Sequence, residues 1–511
     1  MDSPARTAPR AQPAQRAGAR GVLEFPAEDG RRSTTATTRA ILADAARAAD
    51  PELAERIAAC SSWRSDYAQL LRALTSLAAE PSRALPIARA GVGSMRKRLV
   101  LETGGGESPL AEALGAPGPE ERLGSGEIHG TAEPRARLEV PYRGRSLHGQ
   151  ELLDQLERWA GSGIVEPSFA RAVGLVAEHP EWLSLPGRSV VLVGAGSEIG
   201  PLQPLCAWGA EVLAIDVPDG AVWWRIRETA RRGSGTVRMP MAPDGTAGVD
   251  VIADLPAAHA WLAENLSARG AQPVLGMYAY ADGGKHVLLT GAFDAIAVQL
   301  AEREPATALA YLATPTDAYV VPAATAERAR AAYDARGARR LAQAPLKALS
   351  GGRLYRPAYA EAVPVADALI EQQGPNYALA KRLQRWRGLC ARAAGQPVSF
   401  NVAPATWTRS VTKNRVLAAA YEGAKHFGIE IFDPATTRVL MAALLVHDLS
   451  TEPTGGQPGE ELFSGGAAHG GLWTAGYEPR SALGIAALAG LPASLMKRRG
   501  ESQTSDREEL P

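Results

Sequence analysis

Two groups of residues in this sequence have the types and spacing to do chemistry. The first is Tyr377 and Lys381 in NYALAKRLQRWRGLC, residues 376–390, four positions apart and so stacked on one face of a helix. A phenol that ionises near pH 10 is a poor acid or base at neutral pH, but a neighbouring ammonium stabilises phenolate and pulls that value toward the working range. The expected chemistry is proton transfer. The second group is the glycine turn of SVVLVGAGSEIG, residues 189–200, with Asp216 placed 22 residues beyond Gly194. Gly194 and Gly196 let the chain turn tightly and bring backbone N–H groups to a pyrophosphate, while Gly200 lets the next helix pack close to the strand. Asp216 falls where an acidic side chain accepts hydrogen bonds from an adenosine ribose. Nucleotide binding is therefore expected at Gly194, Gly196, Ser197, Glu198, Ile199, Gly200 and Asp216. The blander alternatives are a crossover that binds nothing and an ordinary surface helix pair.

These groups need elements to hold them. Val190 to Val193 reads as a buried strand, Val212 to Ile215 as a second, and Ala221–Arg232 as the helix after it. The alternation continues through Val249–Asp254, Pro256–Leu266, Pro273–Tyr280, Val287–Glu302, Ala308–Ala313 and Val398–Pro404. Strands alternating with helices of this length mean an α/β fold, a doubly wound parallel sheet of Rossmann-like kind. Ligands of such sheets sit beyond the carboxyl ends of the strands, which gathers the turns at Gly194, Asp216, Gly283 and Thr314 around one crevice. Asp254 lies where it could meet an adenine edge, and Thr314 and Thr316 end the strand before the long insertion. On the helix of Tyr377, the stripe Leu379, Leu383, Trp386 and Cys390 would anchor against the sheet, leaving phenol and ammonium to face the crevice.

At 511 residues the chain exceeds what one core usually supports, so appended regions are expected. The division read from composition is a disordered tail at 1–32, a helical N-terminal region and linker at 33–150, and a helical lead-in at 151–187. The Rossmann-like domain follows at 188–450 with an insertion at 318–372, then a C-terminal cap at 451–495 and a polar tail at 496–511. Trp407, Trp473 and Tyr477 are candidates for lining a substrate pocket.

Composition excludes several classes. Lys plus Arg equals Asp plus Glu at 55 each, which gives no electrostatic footprint for nucleic acid or an anionic membrane, and no apolar run approaches a membrane span. Cys60, Cys206 and Cys390 are too few and too far apart for a disulfide framework or a CxxC metal site, so a reducing, cytoplasmic setting is expected. The Arg-rich, acid-poor first thirty residues also admit an organelle transit segment. His447–Asp448 and His469 lack metal or relay spacing, and no metal site is expected.

GAGSEIG, the acidic end of the second strand, YALAK and then VSFNVAPATWT, in that order, resemble the short-chain dehydrogenase/reductase superfamily over about Arg188 to Leu449. The resemblance implies an NAD(P)(H)-dependent oxidoreductase in which Tyr377 exchanges the proton of a carbonyl/alcohol pair. Lys381 would lower the phenol's pKa and hold the nicotinamide ribose, and Pro404 to Thr408 would lie against the carboxamide. Asp216 and Glu198 favour NAD(H) over NADP(H), because they would repel a 2′-phosphate; Arg225 argues the other way. Homodimers or tetramers follow from the resemblance alone. The sequence departs from the family at the Ser that precedes the Tyr, for which Thr314, Thr316 or Ser350 could substitute, and at the Asn residues of the fourth strand and its helix. A second Tyr-x-x-x-Lys, Tyr421 and Lys425, comes after the VSFNVAP strand, the wrong place for the family. Alternatives are a nucleotide-binding or scaffold protein with a degenerate site, and an enzyme of an adenosyl cofactor such as S-adenosylmethionine.

Overall fold

The computed structural model describes residues 21–113, 122–267, 270–370, 373–451 and 459–491, with the side chains of 338–342 left aside. Its centre is a seven-stranded sheet. In chain order the strands are β1 (Gly124–His129), β2 (Arg188–Val193), β3 (Glu211–Ile215), β4 (Thr236–Met241), β5 (Gln272–Met277), β6 (Ala308–Ala313) and β7 (Val398–Val402). Across the sheet the order is β7-β6-β5-β2-β3-β4-β1, parallel throughout except for β1, which runs antiparallel to β4. The chain winds outward from β2 through β3 to β4, returns to β5 and winds the other way to β7. The order therefore reverses between β2 and β5, which is the doubly wound, Rossmann-like arrangement.

Period-two alternation divides the core. Val191, Val193, Leu213 and Ile215 join one apolar cluster, whereas Val190, Leu192, Val212 and Ala214 join the other. On the first face lie the helices Leu255–Ser267, Gly284–Arg303 and Gly374–Ala393; on the second lie Gly149–Ser162, Pro167–Glu178, Gly220–Arg232 and Pro434–Ser450. Both faces are covered, as a parallel sheet requires.

The N-terminal helices are not a separate body. Thr34–Arg47, capped by Ser33, and Pro51–Ala59, capped by Asp50 with proline at its first position, lead to Trp63–Ala78 and Pro81–Arg98. They share the first cluster, forming an outer layer. Gly91 sits on the Trp386 ring so closely that an added Cβ would lie 2.2 Å from it. Buried Asp294 binds Arg96 from this layer and Arg387 from Gly374–Ala393, tying three helices together.

Several sequence expectations need correction, among them the strand expected at 249–254, which is turn and not strand, the chain having placed β4 earlier, at Thr236–Met241. Residues 21–32, expected in a disordered tail, include the strand Val22–Glu24, which pairs with Val100–Thr103 and buries Leu23; residues 1–20 lie outside the described residues. The segment 104–126, read as linker, contributes the start of β1. The Tyr377 helix has no solvent face: Arg382, Gln384 and Arg385 are as buried as Leu379 and Trp386, because the N-terminal layer and the insertion enclose it. Among the described residues no helix is long and apolar enough to cross a membrane. The polar tail at 496–511, like residues 452–458 and 492–495, lies outside the described residues.

Candidate functional site

A cleft of about 860 Å³ runs across the carboxyl ends of β3, β2, β5, β6 and β7, over the reversal point of the sheet. That volume is within the range of ligand pockets. Its first end is the glycine turn. Gly194 has φ +88° and lies so near Ala279, beyond β5, that a Cβ would meet its backbone at 2.3 Å. Only glycine satisfies both the left-handed conformation and that approach. A Cβ on Gly196 would meet Val222 at 2.8 Å and the Asp216 carboxylate at 3.2 Å.

The turn holds itself together with its own amides. Gly194 and Ala195 donate to the Ile215 carbonyl, Ser197 donates to Gly194, and Gly196 donates to Asp216 Oδ2 at 2.8 Å. The other Asp216 oxygen accepts from Val217 at 2.9 Å. Burial nevertheless raises the Asp216 pKa against these hydrogen bonds. Among the described hydrogen bonds none uses the amides of Glu198 and Ile199, both of which line the cleft. They are the donors left for anionic oxygen, so the N–H groups of Gly194 and Gly196 serve the turn and not a ligand. Glu198 is committed as well, with its carboxylate accepting from the Arg409 amide and its carbonyl accepting from Arg438.

Gly200 and Asp254 are not in the cleft lining. The nearest neighbour a Cβ on Gly200 would meet is Ser197, not the strand, since the helix Leu202–Ala207 begins only two residues later. Asp254 faces its own chain, accepting from the Ala257 amide at the start of Leu255–Ser267, while Asp250 lines the cleft in its place.

The other end is chemical. Tyr377, Lys381, Thr314, Thr316, Pro404 and Thr408 all line the cleft there. The Thr314 hydroxyl lines the cleft with Tyr377, acts on the phenol's pKa against burial, and lies 2.6 Å from the hydroxyl of Thr316. Lys381 Nζ stands 5.9 Å from the centre of the Tyr377 ring and donates to the Leu312 carbonyl at 3.0 Å and to Gln384 at 3.1 Å. Burial lowers its pKa to about 8, opposed by the charge of Asp317. The expectation that Lys381 pulls the phenol's pKa down is not met: burial first, then Asp317, hold it above the ordinary value. The physical reason is direction, because the ammonium is drawn to a carbonyl and an amide. The phenol stands protonated at neutral pH.

Sequence reading missed His286 and Asp317 beside this pair. His286 stacks against Tyr377 at 5.3 Å and against Tyr280 at 5.4 Å. Its Nδ1 accepts from the Ala281 amide, so its proton is on Nε2, which is buried with no hydrogen-bond partner among the described residues. Burial and the Lys381 charge lower its pKa to about 3. Asp317, 4% exposed, faces Arg382 and Arg385 at 3.5 and 3.6 Å, and Arg385 also pairs with buried Glu460. Tyr421 lines the cleft, whereas Lys425 is exposed beside Glu422, so the second Tyr/Lys pattern does not act as a pair. Trp407 packs on Tyr421 at 5.6 Å. Among the described residues no group of His, Cys, Asp and Glu could hold a metal ion.

Fold and cleft define a class: a Rossmann-like α/β protein with a cleft at the reversal of its sheet. No family model and no curated protein matches the sequence. Among solved structures, the chain is similar to the terminal R domain from the myxalamid PKS-NRPS biosynthetic pathway, with a TM-score of 0.29 and 15% identity. The likeness covers 50% of this chain and 61% of that one.

Proposed function

We propose that the chain is an NAD(H)-dependent oxidoreductase of the short-chain dehydrogenase/reductase kind, interconverting a carbonyl and an alcohol. The supporting observation is the meeting, in one cleft, of a glycine turn braced by an acidic strand end with a protonated phenol, a hydroxyl beside it and a buried ammonium. The residues fit a dinucleotide: Glu198 and Ile199 offer amides on the cleft lining, and Asp216 keeps lone pairs for ribose hydroxyls. The Asp216 carboxylate would repel a 2′-phosphate, which supports NAD(H) over NADP(H).

The nicotinamide, when bound, supplies the hydride that reaches the carbonyl carbon. Tyr377 gives its phenolic proton to the carbonyl oxygen, and the Thr314 hydroxyl beside it steadies that oxygen. Lys381, charged below about pH 8 and 5.9 Å from the ring centre, keeps a positive charge near the phenolate left behind until solvent returns the proton. Carbonyl plus hydride plus proton gives alcohol; the reverse direction runs the same steps backward.

A second reading, a nucleotide-binding protein without turnover, is favoured by one observation: Lys381 directs its hydrogen bonds at Leu312 and Gln384. The test is oxidation of NADH, followed by absorbance, with a panel of aldehydes and ketones. Turnover that Tyr377→Phe removes upholds the oxidoreductase reading; binding of NADH with no turnover on any carbonyl supports the second.

A further inference from the structure

We propose that a small apolar chamber opening from the chemical end of the cleft receives an uncharged aliphatic arm of the substrate. The inference rests on the oxidoreductase reading and adds the substrate class to it. The chamber is about 70 Å³ and shares Thr316, Ile370, Ala405 and Tyr421 with the cleft, so those four form its mouth. The mouth is close to the chemistry: the Thr316 hydroxyl lies 2.6 Å from that of Thr314, and both line the cleft with Tyr377 and Lys381.

The walls come from four distant parts of the chain: the insertion, the segment after β7, the helix Arg415–Ala424 with the residues after it, and the C-terminal cap. They present carbon. Of the polar groups on them, the Tyr477 hydroxyl is turned to Gln343 and the Arg480 guanidinium to Asp367, while the Tyr421 phenol stands at the mouth. A charged ligand group would find no free counter-charge there among the described residues, and burying it unpaired is strongly unfavourable. Protein cores close such gaps with larger side chains, whereas this one is kept open by small ones, Ala405, Ala420, Ala424 and Ala482. One water-sized unit occupies about 10–15 Å³ on this measure, so the space takes roughly five methylenes. With the reacting carbon in the cleft, the substrate is a straight-chain aldehyde, ketone or alcohol of about six carbons.

The test is turnover of straight-chain aldehydes from propanal to decanal at saturating NADH, with NADH affinity measured separately by nicotinamide fluorescence. The expected result is kcat/KM rising roughly threefold per methylene and levelling near hexanal or heptanal. Ala482→Leu, which fills the chamber, brings the hexanal-to-propanal ratio close to one, and the gentler Ala420→Val brings it part of the way should the larger substitution prevent folding. Turnover that is flat with chain length in the natural protein overturns the proposal while leaving the oxidoreductase reading intact. If NADH fails to bind, or no aldehyde turns over, that reading has failed separately, and the chamber is decided by saturation-transfer NMR with 1-hexanol. A hexanol signal lost in Ala482→Leu or Ala420→Val upholds the chamber; no signal, or one unchanged by both, overturns it.

Discussion

The two ends of the cleft are built on different scales of the chain. The glycine end is local: Gly194, Gly196 and Asp216 lie within one strand-turn-helix-strand unit and hold each other through backbone amides. The chemical end is assembled from afar, with Tyr377 and Lys381 on one helix, His286 on another, Asp317 just before the insertion and Glu460 in the cap. Its charges are buried, and Arg385 among them bonds to the Ala318 carbonyl and to Glu460, 67 and 75 residues away in sequence. A local turn tolerates loss of one bond, because its backbone geometry remains. A buried charge network does not, since removing one member strands the others.

Damage should therefore differ in kind between the ends. The largest effect is expected from Arg385→Leu, which leaves Glu460 and Asp317 without their shared cation; unfolding by denaturant should show a loss of about 3–5 kcal/mol. Tyr377→Phe keeps the ring stack on His286 and should leave stability and NADH affinity near their natural values while lowering turnover at least about 100-fold. At the other end, Asp216→Ala removes one acceptor from the Gly196 amide and one from the ribose. It should weaken NADH roughly tenfold in a fluorescence titration, with a stability loss of about 1 kcal/mol.

The smaller effects are pH-dependent. Reduction should hold level up to about pH 8 and fall above it as Lys381 loses its proton, and Lys381→Arg, which stays charged, should carry the plateau to higher pH. His286 has a folded pKa depressed to about 3 from 6.5, so the folded state binds fewer protons than the unfolded one between those values. Its contribution is present above pH 6.5 and lost as pH falls toward 3. Melting temperature should accordingly drop on acidification from pH 7 to pH 5, and His286→Phe should make that drop shallower.

The same difference of scale governs what the sequence discloses. The run from Val190 to Asp216 carries its own signals of strand, turn glycine and acidic end, and the Rossmann-like sheet follows from repeating that rhythm. Asp254 and Asp250 are both acidic residues near one helix start, and periodicity alone does not tell which one turns into the cleft. Arg382 and Arg385 sit in a helix whose charges read as a solvent face, because their partners Asp317 and Glu460 lie on segments that only the tertiary fold brings near. The Gly/Ser-rich start of β1 reads as linker for a similar reason: its pairing strand, β4, comes about 110 residues later. His286, fully buried between Tyr280 and Tyr377, leaves no spacing signal at all.

The most direct test of the account is a titration of the purified protein with NADH and NADPH, following nicotinamide fluorescence, on the natural sequence, Asp216→Ala and Tyr377→Phe. The account predicts saturable NADH binding, tighter than NADPH, weakened by Asp216→Ala and spared by Tyr377→Phe. Binding of neither nucleotide to the natural protein would contradict it.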